Sequence, residues 1–143
     1  MKNSLFAVSL LLLTGAVLAT AQETKAISAG SGVFTAAQAQ RGKTEYVPSC
    51  AACHGAGLVP SNDDVPGLTG PPFEYSWHGK TVGERFERIS TTMPYNAPKS
   101  LTSQQYADIL AYILQFNGYP AGNDELAPDA NALGHILIEP LAK

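Results

Sequence analysis

Cys50, Ala51, Ala52, Cys53 and His54 form the stretch of this chain best equipped for chemistry. Two cysteines three apart on a helical turn share a face, with Cβ atoms roughly 5–6 Å from each other. That separation suits two thioether bonds to the vinyl groups along one edge of a haem. The histidine that follows then presents an imidazole nitrogen to the iron. Cys-x-x-Cys-His is the spacing of covalent haem attachment, in which the cofactor carries the redox chemistry and the protein tunes it.

The same residues admit other chemistries, each less well supported by its surroundings. A thioredoxin-type dithiol should follow a strand in a βαβ unit, and no strand-like run precedes Cys50. A structural zinc site needs four ligands. The chain has only two cysteines, and His78 and His135 stand in no ligand-pair spacing. A disulfide would suit an exported chain, but across one helical turn it would crosslink little.

Haem iron bound by His54 has a second axial position. Met93 is the one methionine besides Met1, and Pro94 follows it. A lone methionine is more often a filler of core gaps, yet an electron carrier needs a closed coordination sphere. A thioether supplies one and raises the potential. His78, His135 and an open position are the competing readings. His78, beside Trp77, reads as a surface or propionate-side residue, and His135 as a structural or exposed residue of the tail.

Three helices are predicted to hold these groups. Thr35-Ala36-Ala37-Gln38 reads as a capping box opening a helix to about Tyr46, with Pro48 ending it. Gly42 and Tyr46 share a face, and a glycine inside a helix costs about 1 kcal/mol relative to alanine. Close contact with a second helix is the reason expected, with Tyr112 as the packing aromatic; a merely tolerated solvent-facing glycine is the alternative. Thr81 and Glu84 open another helix over about 81–90, with Phe86 and Ile89 inward. Arg85 and Arg88 are most simply solvated there, or face a partner or a propionate. Thr102 and Gln105 cap a third, to about 117, with Leu101 and Tyr106 as its staple. Its apolar positions 106, 109, 110, 113 and 116–117 keep helical period. Asn117-Gly118 and Pro120 then close it.

The segment from Gly55 to Gly79 shows turn chemistry throughout and is read as one long loop. A structureless loop of that length is unusual in a compact domain. It becomes reasonable if it wraps a flat cofactor, packing Leu58, Leu68, Phe73 and Trp77 against it. Trp77 and Tyr95 are expected at the haem edge.

The ends of the chain speak to its location. Lys2, an apolar run from Leu5 to Ala19, and Ala19-Thr20-Ala21 make a secretory signal peptide cleaved near Ala21. The run is short against the ~20 residues that span a bilayer. Export, to the periplasm in a Gram-negative source, agrees with haem attachment outside the cytoplasm. Residues 22–33 read as a flexible lead-in, 34–120 as the folded domain, and 121–143 as an extension packing on the domain or on a partner. With 143 residues there is room for one small core. The formal charge of −3 becomes −4 once Lys2 is removed, and haem propionates add to it. An acidic surface argues against nucleic acid as a partner. No Ser/His/Asp set or carboxylate pair stands out, so no catalytic residue is expected.

Together the motifs resemble class I c-type cytochromes over most of the chain after residue 33. The matching pieces are Cys50-Ala51-Ala52-Cys53-His54, Pro66-Gly67-Leu68-Thr69-Gly70 and Met93-Pro94. The resemblance implies an all-α fold with three main helices and long loops around one covalent haem c. It implies that Pro66 offers its carbonyl to His54 and that Leu68 packs on the haem. The segments 79–84, 91–94, 106–114 and 117–122 look like the cytochrome domains that serve, or are fused to, pyrroloquinoline quinone-dependent alcohol and sugar dehydrogenases. The expected function is therefore electron transfer, not enzymatic turnover. A periplasmic dehydrogenase would be the donor, and an oxidase or another cytochrome in the respiratory chain the acceptor. Cys50 and Cys53 would anchor the haem, and His54 and Met93 would ligate iron. A haem enzyme or gas sensor with an open sixth site, and a structural subunit of an oxidoreductase complex, are the alternatives.

Overall fold

A computed structural model describes residues 25–142, so the expected signal peptide at 1–21 lies outside the described residues. Five helices, α1 (Ala36–Ser49), α2 (Ala51–His54), α3 (Gly70–Trp77), α4 (Val82–Thr92) and α5 (Ser103–Phe116), make the fold all-α. Two short strands, β1 (Ile27–Ser28) and β2 (Ile136–Leu137), join its two ends.

The frame is the crossing of α1 and α5, the most extensive helix pair. Both helices start where their capping residues stand: Thr35 Oγ1 accepts the Gln38 N–H at 3.0 Å, and Thr102 Oγ1 accepts the Gln105 N–H at 3.2 Å. Gly42 is the close-approach point, because a Cβ there would overlap the Asp108 carbonyl. Tyr46 and Tyr112 then meet with ring centroids 5.3 Å apart. The apolar stripe of α5 is buried from Tyr106 to Leu114, and Gly118, at φ 88°, ends the helix. The reciprocal capping boxes expected on α4 and α5 are both formed.

The structure corrects the sequence reading in several places. Gln38 does not close a box with Thr35. Its amide is fully buried and exchanges two hydrogen bonds with the Leu126 backbone, Nε2 to O at 3.0 Å and N–H to Oε1 at 2.8 Å. Pro48 does not end α1 at once, because the Cys50 N–H still reaches the Tyr46 carbonyl at 2.8 Å beyond it. The long loop contains α3, where Pro71 and Pro72 occupy first-turn positions that need no N–H donor.

Residues 27–33 are not a flexible lead-in. Ile27 pairs with Ile136 and Ser28 with Leu137 in a parallel register, and Ala29 is fully buried. The partner strand lies over a hundred residues away, so local composition gives no hint of it. The tail that carries it lies on the helices, with Leu126, Leu133, Ile136 and Ile138 buried. It crosses the start of α4 at Gly83, where a Cβ would overlap the Ala130 carbonyl. The Ile138 N–H donates to the Lys80 carbonyl, and the Gly83 N–H to the Leu133 carbonyl.

Candidate haem site

A cleft of about 1070 Å³ slightly exceeds the roughly 300–1,000 Å³ usual for small-molecule sites. Cys50, Cys53, His54, Pro66, Leu68, Trp77 and Met93 all line it. Residues spread over 44 positions of sequence, from 50 to 93, thus meet around one space.

Each wall has a local cause. Tyr46, fully buried, donates its hydroxyl to the Gly55 carbonyl at 2.8 Å and so fixes the end of α2. Gly55 itself turns at φ 77°, where a side chain would overlap the Val59 carbonyl. His54 Nδ1 lies 3.0 Å from the Pro66 carbonyl. That oxygen only accepts, so the contact assigns Nδ1 as the protonated nitrogen and leaves Nε2 with its lone pair. A histidine held through one nitrogen in this way is oriented to ligate through the other. Leu68 is tied down at both backbone groups: its N–H donates to the Leu58 carbonyl at 2.8 Å, and its carbonyl accepts from Asn117 Nδ2 at 2.9 Å.

The remaining walls come from α3, α4 and α5. Trp77, 4% exposed, stacks on Phe73 at 4.9 Å. Met93 caps α4, and its carbonyl accepts the Tyr106 hydroxyl at 2.7 Å. Ile89, Ile109 and Ile113 supply apolar lining. Tyr95 stands 85% exposed at the border of the cleft. Leu58 and Phe73, expected against a cofactor, are buried in the core and do not line the cleft. His78 faces a separate small pocket with Phe73, Tyr119 and Leu141, and His135 lies in the tail beside β2.

Sequence reasoning missed the Tyr106 bond to Met93, although Tyr106 was marked as a staple residue. It left Arg85 open between solvent, a partner and a propionate; Arg85 lines the cleft, with a buried Nε that has no hydrogen-bond partner among the described residues. The Arg85 guanidinium lies 5.8 Å from the Trp77 ring centroid.

Two thiols, an imidazole held through Nδ1, a thioether and a largely apolar cleft fit a haem c. They do not fit a redox dithiol, which calls for a lowered thiol pKa. Burial, and then the neighbouring Cys53, push the Cys50 thiol up to about 11. Among the described residues no cluster of three or more His, Cys, Asp or Glu could hold a metal ion directly. No helix among them is long and apolar enough to cross a membrane.

Comparison with known proteins agrees with this geometry. No curated protein matches the chain. The chain is similar in structure to the sulfane dehydrogenase SoxCD from Paracoccus pantotrophus, at 20% identity and a TM-score of 0.50, a likeness of fold alone. That likeness covers 82% of this chain and 62% of the other, so this chain spans less than two thirds of its neighbour. A family model described as cytochrome c oxidase, cbb3-type, subunit III matches residues 37–113. The matched segment runs from the first turn of α1 into α5 and takes in the haem-attachment motif, the cleft and Met93, over more than half of the chain. The chain therefore belongs to this family of c-type cytochrome domains, with electron transfer as the role such a domain implies.

Proposed function

We propose that the mature protein is an exported, single-haem electron carrier that accepts electrons one at a time from a dehydrogenase and passes them towards a terminal acceptor. Its own residues divide the work. Cys50 and Cys53 would hold the haem covalently, and His54, oriented by the Pro66 carbonyl, would ligate its iron. Met93, whose carbonyl accepts the Tyr106 hydroxyl, would offer its thioether to the iron. Leu68 and Trp77 would pack against the haem and keep water from it. Bound haem c supplies one-electron exchange between ferric and ferrous iron, and a thioether ligand raises its potential. The observation that carries the reading is the convergence of Cys50, Cys53, His54 and Met93 on one cleft.

The donor we propose is a pyrroloquinoline quinone-dependent alcohol or sugar dehydrogenase of the periplasm. The reading is supported by the likeness of segments 79–84, 91–94, 106–114 and 117–122 to cytochrome domains that serve such enzymes. The test mixes the ferric protein with the quinoprotein dehydrogenases of its source and their substrates. Reduction in step with substrate oxidation is expected. If none of them reduces it, and deleting the protein leaves all of them coupled to respiration, the quinoprotein link is wrong.

A further inference from the structure

Helix α4 carries the wall of the cleft that ends at Met93, yet the other helices hold it lightly. It packs chiefly on α5, and far less extensively than α1 does. The start of α4 is tied to the tail instead. The Gly83 N–H, one of the first-turn donors that a helix cannot satisfy itself, donates to the Leu133 carbonyl at 3.1 Å. Just before the helix, the Gly79 N–H donates to the Ile138 carbonyl and the Ile138 N–H to the Lys80 carbonyl, both at 2.9 Å. Thr81 and Leu137 form an antiparallel bridge between these bonds. Gly83 is what admits the crossing, since a Cβ there would overlap the Ala130 carbonyl and the Gly134 backbone. The tail is itself fixed on both sides of the crossing. Leu126 exchanges its two backbone bonds with Gln38 of α1, and Ile136 and Leu137 pair with β1.

We infer that segment 130–138 of the tail is a strap that positions α4, and through α4 governs how firmly Met93 holds the sixth position. The inference rests on the reading of Met93 as an iron ligand. Neither Gly83 nor any residue from 126 to 138 lines the cleft, so what they do to the iron must pass through the helix. Gly83 lies in the first turn of α4 and Met93 is its C-cap. The far end is held by the Tyr106 hydroxyl on the Met93 carbonyl, and the near end by the strap. With the near end released, α4 is free to tilt on α5 and carries the Met93 thioether with it. Gly83 and Leu133 are thus positioning residues; neither touches the haem.

Any core truncation loosens a small protein, so the test needs a matched control. Leu126 and Leu133 are each 1% exposed; Leu133 meets α4 at Gly83, whereas Leu126 is bonded to α1. The haem-loaded full chain is compared with Leu133→Ala, Leu126→Ala and Gly83→Ala. Alanine is the better helix former at position 83, so a loss there comes from the displaced strap. The readouts are carbon monoxide binding to the ferrous protein, the near-infrared band of thioether ligation, amide hydrogen exchange along α4, and stability to denaturant. All three variants should lose stability. Leu133→Ala and Gly83→Ala should also bind carbon monoxide several-fold faster, weaken the band and speed exchange in α4, while Leu126→Ala keeps the wild-type rate and band. If Gly83→Ala does not fold, the two leucine variants carry the comparison. Equal acceleration in both leucine variants, or the wild-type rate in both, would overturn the inference and leave the tail as packing alone. A wild type that lacks the thioether band and binds carbon monoxide rapidly would instead overturn Met93 as the ligand.

Discussion

Gly42 of α1 lies directly against the carbonyl of Asp108 in α5, so closely that a methyl group at Gly42 would overlap the backbone of its neighbour. Because the obstacle is main chain, no rotamer change relieves it, and the helices must part. Overpacking of a core typically costs about 1–3 kcal/mol. Gly42→Ala should cost at least the upper end of that range, and denaturant unfolding of the haem-loaded protein measures it. A loss under about 0.5 kcal/mol, the scale of ordinary surface changes, would mean that the two helices do not cross there.

Arg41 bridges the same two helices to the tail. Its Nε and Nη2 reach Asp108 at 2.9 and 3.1 Å, and Nη2 reaches Glu125 at 2.8 Å. Both carboxylates hold the guanidinium pKa above its ordinary value, Asp108 more than Glu125. The Asp108 side chain is 6% exposed while that of Glu125 is 43% exposed. Arg41→Met leaves the buried Asp108 carboxylate with only the Gln104 amide, 2.8 Å from Oδ1, and should cost about 1–3 kcal/mol. Glu125→Gln breaks an exposed pair and should cost under about 1 kcal/mol. Equal costs would contradict the ranking by burial.

Tyr106→Phe removes the hydroxyl that donates to the Met93 carbonyl. About 1 kcal/mol of stability should go with it, and the Met93 side chain should release the iron more readily. Faster binding of carbon monoxide to the ferrous protein is the measurement. An unchanged rate would place the control of the sixth position elsewhere.

Glu84 gives the α4 cap an acid limit. The Thr81 backbone N–H, opposed in lesser part by burial and helped further by the charge of Lys80, holds the Glu84 carboxyl below its ordinary 4.5. A group whose pKa is lower folded than unfolded adds stability above its unfolded value and loses it as pH falls through the folded one. The advantage of the wild type over Glu84→Gln should therefore hold at neutral pH and shrink below 4.5. It should be modest, because the Glu84 side chain is half exposed. A gap that widens on acidification would reverse the sign.

What the sequence made legible was what depends on neighbours a few residues apart. The Cys50 to His54 spacing, the boxes at Thr81 and Thr102, and the glycine–tyrosine face of α1 are all short-range signals, and each is visible in the fold. The short-range reading failed at Gly70-Pro71-Pro72, which is as much a helix start as a turn, and was one residue early at Pro48, which α1 passes to end at Ser49. It had no access to pairings that span the chain. Gln38 with Leu126 and Ile27 with Ile136 lie 88 and 109 residues apart, the latter from 136 − 27. Arg85 was left open for a related reason: a charged residue on a helix can face solvent or a cleft until the walls around it are known.

The central claim is a covalent haem held by Cys50 and Cys53 between His54 and Met93. Its most direct test is the reduced-minus-oxidised spectrum of the mature protein beside that of Met93→Ala, with and without carbon monoxide. A low-spin c-type spectrum is expected, with the weak near-infrared band of thioether ligation in the ferric wild type and its loss in the mutant. A wild type that is already high-spin and binds carbon monoxide rapidly would contradict the closed-site carrier, returning Met93 to the role of core filler.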